Sequence, residues 1–194
     1  QPVNIFVGRF QPFTLGHVKV LETLYKANGF PVIVFLVKSK TVKKEDAAKR
    51  PYDTDTQIEM FNKVQKEYPF LKEVIVVPSA AIDVMFNQLR PKYEPVLWGT
   101  GTDRMKAYGY MVDNTKYRDE LNVRPDFGLH EIKRGDDDIS ATQVRNSMLD
   151  DEYNLFKKLV PKSLHGMYDE LKQKLEVSLA ANESVMTFEQ FINK

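Results

Sequence analysis

The chain has 194 residues, and its 28 Lys and Arg against 27 Asp and Glu leave a net charge of +1. That balance gives no support to bulk binding of nucleic acid or of an anionic membrane. The absence of cysteine excludes disulfides, thiolate catalysis and Cys-ligated zinc, and fits a reducing, cytoplasmic setting.

At this length one domain with a sizeable core is expected, with no internal repeat, no apolar run of membrane-span length and no signal peptide. Residues 3–7 (Val-Asn-Ile-Phe-Val) are short, β-branched and apolar, the pattern of a buried strand. Val18, Leu21, Leu24 and Tyr25 then recur at helical spacing, and Gly29 closes the run. Between them lies Gly8-Arg9-Phe10-Gln11-Pro12-Phe13-Thr14-Leu15-Gly16-His17, which carries glycine, a cation and polar groups into a helix start. Such a start offers unpaired N–H groups and a positive dipole end, which favour an anion such as phosphate. Thr14 and His17, three apart, are spaced to face one bound group, and Gly16 lets that group approach the backbone closely.

This decapeptide resembles the H/T-x-G-H signature of the nucleotidyltransferase superfamily, and its GRFQPF lead is most like archaeal-type nicotinamide-mononucleotide adenylyltransferases. That family usually carries His where this chain has Thr14; the pantetheine-phosphate adenylyltransferases carry Thr there.

Residues 31–37 read as a second buried strand, so strand, helix and strand form a βαβ unit with a parallel sheet. The cation-rich stretch from Lys38 to Arg50 reads mainly as a solvated loop. Its end, Arg50-Pro51-Tyr52-Asp53, resembles the family segment that brings an arginine to the mononucleotide phosphate, so Arg50 is an acceptor-binding candidate. Asp53 or Thr54 can cap the next helix, which carries Ile58, Phe61 and Val64 at 3.6 periodicity. Residues 73–77 are a third strand, 80–89 a helix ended by Pro91, and 95–98 a fourth strand. The glycine turn that follows lacks the third glycine of a dinucleotide fingerprint; the resemblance implies nucleotide contacts at Gly99 and Asp103. From 108 to 125 the chain is polar and aromatic without clear period and reads as a long loop. Residues 127–132 alternate as a fifth strand.

Asp136-Asp137-Asp138 reads as a solvated acidic loop, and no metal site is expected from it. Next, Ile139-Ser140-Ala141-Thr142-Gln143-Val144-Arg145 resembles the I-S-x-T-x-x-R motif, the second hallmark of these enzymes. Ser140 can cap a helix, Thr142 offers a hydroxyl, and Arg145 lies one turn along to meet phosphate oxygens. The helices after it, broken at Leu159-Val160-Pro161, are similar to the family's C-terminal helices. Residues 178–194 read as a linker-like tail with a short amphipathic segment, faintly like the capsid-targeting peptides of T4-like phages, that could dock a protein partner.

The expectation is an α/β, Rossmann-like nucleotidyltransferase fold over residues 1–177, with about five mostly parallel strands and C-terminal helices. The resemblance implies attack by a phosphorylated acceptor on the α-phosphorus of a nucleoside triphosphate, with Mg²⁺ carried by the phosphates. His17, Thr14, Arg145 and Arg9 would be catalytic. Gly8, Phe10, Gly16, Gly99, Asp103, Ile139, Ser140 and Thr142 would join them in binding ATP or CTP. The family's stacking tryptophan is missing from the helix after the third strand, leaving Phe86 and Trp98 as acceptor-binding candidates. Nicotinamide mononucleotide with ATP is the first reading. A cytidylyltransferase, or another adenylyltransferase with a different acceptor, is the alternative. A non-catalytic nucleotide-binding or structural module is the reading from another class, and a homo-oligomer is compatible with each.

Overall fold

The computed structural model describes residues 1–38, 49–133, 135 and 138–192, with side chains through Ala181. The strands β1 (Pro2–Gly8), β2 (Val32–Val37), β3 (Leu71–Val77), β4 (Glu94–Thr100) and β5 (Gly128–Glu131) form one sheet in the order β3-β2-β1-β4-β5. Every neighbouring pair is parallel. Among the described residues there are eight α-helices: α1 (Leu15–Asn28), α2 (Thr54–Glu67), α3 (Ile82–Leu89), α4 (Thr102–Val112), α5 (Thr115–Glu120), α6 (Ala141–Leu149), α7 (Tyr153–Leu159) and α8 (Tyr168–Ile192). The backbone groups into two units: Gln1–Arg9, Gly16–Ser39 and Tyr68–Asp138 in one; Phe10–Leu15, Lys40–Glu67 and Ile139–Lys194 in the other.

The first unit holds the whole sheet. Its inner strands are apolar without alternation because a parallel sheet with helical crossovers is covered on both faces. Val3, Ile5, Ile33, Phe35, Trp98 and Phe127 share one core cluster with Ile82, Met85, Phe86 and Leu89 of α3 and with Val112 of α4. The polar exception in β1 is accounted for by its bonds. Asn4 is fully buried, and its amide donates to the Leu24 and Phe30 carbonyls and to Asn28 Oδ1. Asn28 donates back, so the two amides together lock the turn from α1 into β2. Gly29 ends α1 at φ 78°, a left-handed position that glycine adopts without a Cβ clash.

The stretch expected as a long loop at 108–125 instead holds the C-terminal part of α4, to Val112, and all of α5. Its period is hard to read because Val112 is the one fully buried side chain that these helices supply. Polar caps do the rest. Asn114 Oδ1 accepts from the Lys116 N–H, and the Arg118 guanidinium donates to the carbonyls of Val112, Arg124, Pro125 and Phe127.

The second unit is helical. α7 ends where Pro161 withholds an N–H, and a 3₁₀ turn (Lys162–Met167) leads into α8. That last helix runs unbroken through 178–184, where composition reads as linker; the side chains of its end lie outside the described residues.

Candidate active site

In the first unit the strand order reverses between β1 and β4, and in open parallel sheets ligands bind beyond the strand ends at such a point. Gly8 ends β1 and is followed by Arg9, whose side chain is exposed. His17 lies half-buried in the first turn of α1. From β4 the chain turns through Gly101 into α4, leaving Asp103 exposed. Gly99 has a packing reason to be glycine: a Cβ there would meet Leu24 Cδ2 at 2.6 Å, and Leu24 is fully buried. Its side-chain direction is therefore spent on α1 and not on a ligand.

Trp98 and Phe86 lie in the core of this unit. Phe86 is 2% exposed and packs edge-on against Phe127, with ring centroids 5.2 Å apart. Trp98 is 0% exposed and stacked by Tyr108 at 4.2 Å. Of the three aspartates, Asp136 and Asp137 lie outside the described residues. Asp138 pairs with Lys19 at 2.6 Å and accepts from the Gly135 N–H.

The second unit contains the middle of the first motif and the whole of the second. Phe10 sits in the left-handed region at φ 46°, a strained setting for a bulky residue, and stacks on Phe13 at 4.7 Å. Gln11 follows, buried. Its side-chain amide donates to the Tyr52 carbonyl at 2.8 Å and its Oε1 accepts from the Tyr52 N–H at 2.9 Å. The main-chain carbonyl of Gln11 accepts a 2.6 Å hydrogen bond from Arg145 Nη1, and Arg145 Nη2 donates to Thr142 Oγ1 at 3.1 Å. Thus GRFQPF, RPYD and ISATQVR meet at one glutamine. Gln11 escapes sequence reading because an amide carries no charge and forms no ligand pattern; its place inside GRFQPF is the available signal.

α6 begins with a full capping box: Ser140 Oγ accepts from the Gln143 N–H, and Gln143 Oε1 accepts from the Ser140 N–H. The Ser140 hydroxyl is thereby engaged in the helix start, and Ile139 immediately precedes it, half-buried. Burial pushes the Arg145 guanidinium down and the Tyr52 phenol up, while the two favour each other's charged forms. Both shifts leave a neutral phenol and a cationic guanidinium at ordinary pH. The Tyr52 hydroxyl donates to the Leu171 carbonyl of α8, and the Lys174 ammonium donates to Thr56 Oγ1. α8 therefore pins the segment that carries Arg50. Arg50 itself is half-buried, and its Nε has no acceptor among the described residues. Thr14 is fully buried immediately before α1. The described residues contain no group of three or more His, Asp or Glu placed to hold a metal ion.

The chain is similar to curated nicotinamide-nucleotide adenylyltransferases of archaea. It is 28% identical to that of Pyrococcus abyssi over 87% of this chain and 83% of that protein. It is 27% identical to that of Thermococcus sibiricus over 93% of this chain and 90% of that protein. Among solved structures, Plasmodium falciparum nicotinic acid mononucleotide adenylyltransferase complexed with NaAD superposes with a TM-score of 0.52 at 17% identity, covering 87% of this chain and 98% of that one. The bifunctional NMN adenylyltransferase/ADP ribose pyrophosphatase of Francisella tularensis gives a TM-score of 0.57 at 14% identity, over 98% of this chain and 55% of that one. At such identities the structures show a shared fold. The family model described as cytidylyltransferase-like matches residues 5–147, from β1 through both motifs into α6. With that span, and with its two motifs joined by the Arg145–Gln11 bond, the chain belongs to the cytidylyltransferase-like family of nucleotidyltransferases.

Proposed function

We propose that the chain is a nicotinamide-nucleotide adenylyltransferase. A phosphate oxygen of nicotinamide mononucleotide (NMN) attacks the α-phosphorus of ATP, a new P–O–P bond joins the two nucleotides, and pyrophosphate leaves. The observation that carries this reading is the Arg145–Gln11 hydrogen bond, which unites both nucleotidyltransferase motifs in a chain whose curated relatives bear that name. The attacking oxygen is already ionised at neutral pH, so no nucleophilic side chain or general base is required.

Each residue then has a task in positioning or in neutralising charge. His17 donates toward the phosphate oxygens that gain charge as pyrophosphate departs. Thr14 and the N–H groups that open α1 hold the α-phosphate, with Gly16 leaving the backbone accessible. Arg9 and Arg145 neutralise the triphosphate, and Gly8, Phe10, Asp103, Ile139 and Thr142, with the backbone alone of Gly99 and Ser140, shape its cradle. Arg50, with a buried donor to spare, takes the acceptor phosphate. A Mg²⁺ ion carried by the triphosphate would supply charge neutralisation there.

The test is pyrophosphate release with ATP or CTP against NMN, nicotinate mononucleotide and phosphopantetheine, with calorimetric binding of each triphosphate alongside. ATP with NMN is expected to give the highest kcat/KM. Preference for CTP or for another acceptor moves the chain to a different branch of the family, and binding without release makes it a non-catalytic module.

A further inference from the structure

The Arg145 guanidinium is half-buried, and among the described residues no carboxylate pairs with it. Its donors go to two neutral oxygens, the Gln11 carbonyl and the Thr142 hydroxyl. The one ionisable side chain that acts on its charge is the Tyr52 phenol, which is neutral at ordinary pH. A cation seated among dipoles keeps its charge free for an anion, but its place is only as firm as those dipoles.

Tyr52 supplies that firmness. Its N–H and C=O take both hydrogen bonds of the Gln11 side chain, at 2.9 and 2.8 Å. Its ring is 3% exposed, and its hydroxyl donates to the Leu171 carbonyl of α8 at 3.2 Å. Arg50, whose Nε is buried without an acceptor, stands two residues earlier. Four residues later Thr56 Oγ1 donates to Asp53 Oδ1 at 2.6 Å and accepts from Lys174 of α8 at 2.8 Å. Residues 50–56 are thus tied to α8 at Leu171 and Lys174, which lie one helical turn apart, and to the first motif through Gln11. All of these groups belong to the second unit. Burial explains why the phenol finds a carbonyl. It does not explain why one residue holds the Arg50 segment, the glutamine that seats Arg145, and α8 together.

We propose that Tyr52 is a positioning residue for the acceptor phosphate: its phenol, anchored on α8, and its main chain, anchored on Gln11, hold the segment of Arg50 in fixed relation to the Arg145 guanidinium. This rests on the adenylyltransferase reading, in which Arg50 takes the phosphate of NMN and Arg145 the triphosphate. Tyr52 touches neither substrate. Two phosphates that react in line need their cations placed beforehand, so loosening Tyr52 weakens the grip on the acceptor's phosphate and spares the rest of the acceptor.

The experiment measures binding of NMN and of nicotinamide riboside, which lacks the phosphate, by calorimetry on the full chain. Pyrophosphate release from ATP with NMN is measured separately. Wild type is expected to favour NMN over the riboside. Tyr52→Phe keeps the ring and deletes only the bond to α8; it is expected to weaken NMN by about three- to tenfold, the worth of one hydrogen bond, with the riboside within about twofold. Lys174→Met cuts the other tie of the segment and is expected to shift the NMN-to-riboside ratio the same way. Asn28→Ala, which breaks the amide pair of the first unit, is expected to lower Tm and leave that ratio unchanged. A merely structural Tyr52 makes Tyr52→Phe behave like Asn28→Ala, with a lower Tm and the ratio intact, and that result overturns the proposal. Turnover of NMN by wild type beside an unmoved ratio in Tyr52→Phe overturns the positioning role and leaves the activity standing. A ratio that falls in Tyr52→Phe without turnover in wild type keeps the positioning role and removes the activity. Equal affinity of wild type for NMN and the riboside overturns the proposal outright, whatever the turnover.

Discussion

Gln11 exchanges hydrogen bonds with both main-chain groups of Tyr52 while its own carbonyl receives Arg145. Gln11→Ala leaves the Tyr52 N–H and C=O without partners in a buried setting, at about 1–3 kcal/mol each. A loss of about 2–4 kcal/mol in urea unfolding is expected, together with a higher KM for ATP as Arg145 loses its seat. His17 is of a different kind: its proposed interaction strengthens only as pyrophosphate leaves. His17→Ala is expected to lower kcat by about two to three orders of magnitude with little change in ATP affinity, measured by steady-state kinetics and calorimetry. An unchanged kcat removes His17 from the mechanism. Arg145 combines both kinds of duty, because its guanidinium is fixed by Gln11 and Thr142 and still presents a cation from a half-buried site.

The helices differ in how openly their sequences declare them. α1, α2 and α3 carry apolar residues at helical spacing and were legible for that reason. Four strands were legible as apolar runs between turn residues and the fifth by its alternation, and the parallel order followed from the alternation of strands and helices. α4 and α5 hid because tertiary contacts decide them. Tyr108 has its partner in β4, and Arg118 gathers four carbonyls around itself, and neither fact leaves a period in the sequence. Within the second unit the motif marks Thr142 and Arg145 as residues of interest, whereas the part of Gln11, which seats Arg145 through its main-chain carbonyl, leaves no mark in the sequence. α2 offers a test at this scale. Asp53 Oδ1 accepts from the Thr56 N–H and hydroxyl, so Asp53→Ala is expected to cost about 1 kcal/mol as a lost helix cap, read by urea unfolding. Those bonds hold the Asp53 carboxyl below its ordinary 3.8, and a lowered native value stabilises the fold only while the group is ionised. The gap between wild type and variant is therefore full above pH 3.8 and closes as pH falls through the lower native value.

For the molecule as a whole, chelation separates substrate chemistry from architecture. EDTA is expected to abolish pyrophosphate release and to leave Tm unchanged, since the described residues form no cluster able to hold a structural ion. A fall in Tm on chelation would place a metal within the fold itself. The strand order has another consequence, in time instead of space. β1 leaves the ribosome before the other four strands, yet it ends in the middle of the sheet, with β2 on one side and β4 on the other. Ile5 can reach Ile33 early, but its second neighbour is Trp98, and the carbonyl of Gln11 must wait for Arg145. During synthesis the nascent chain therefore carries a bare apolar strand edge, open to wrong pairing, until β4 emerges. The triphosphate motifs are completed later still, so the growing chain acquires its affinity for nucleotide only after most of its sheet is built.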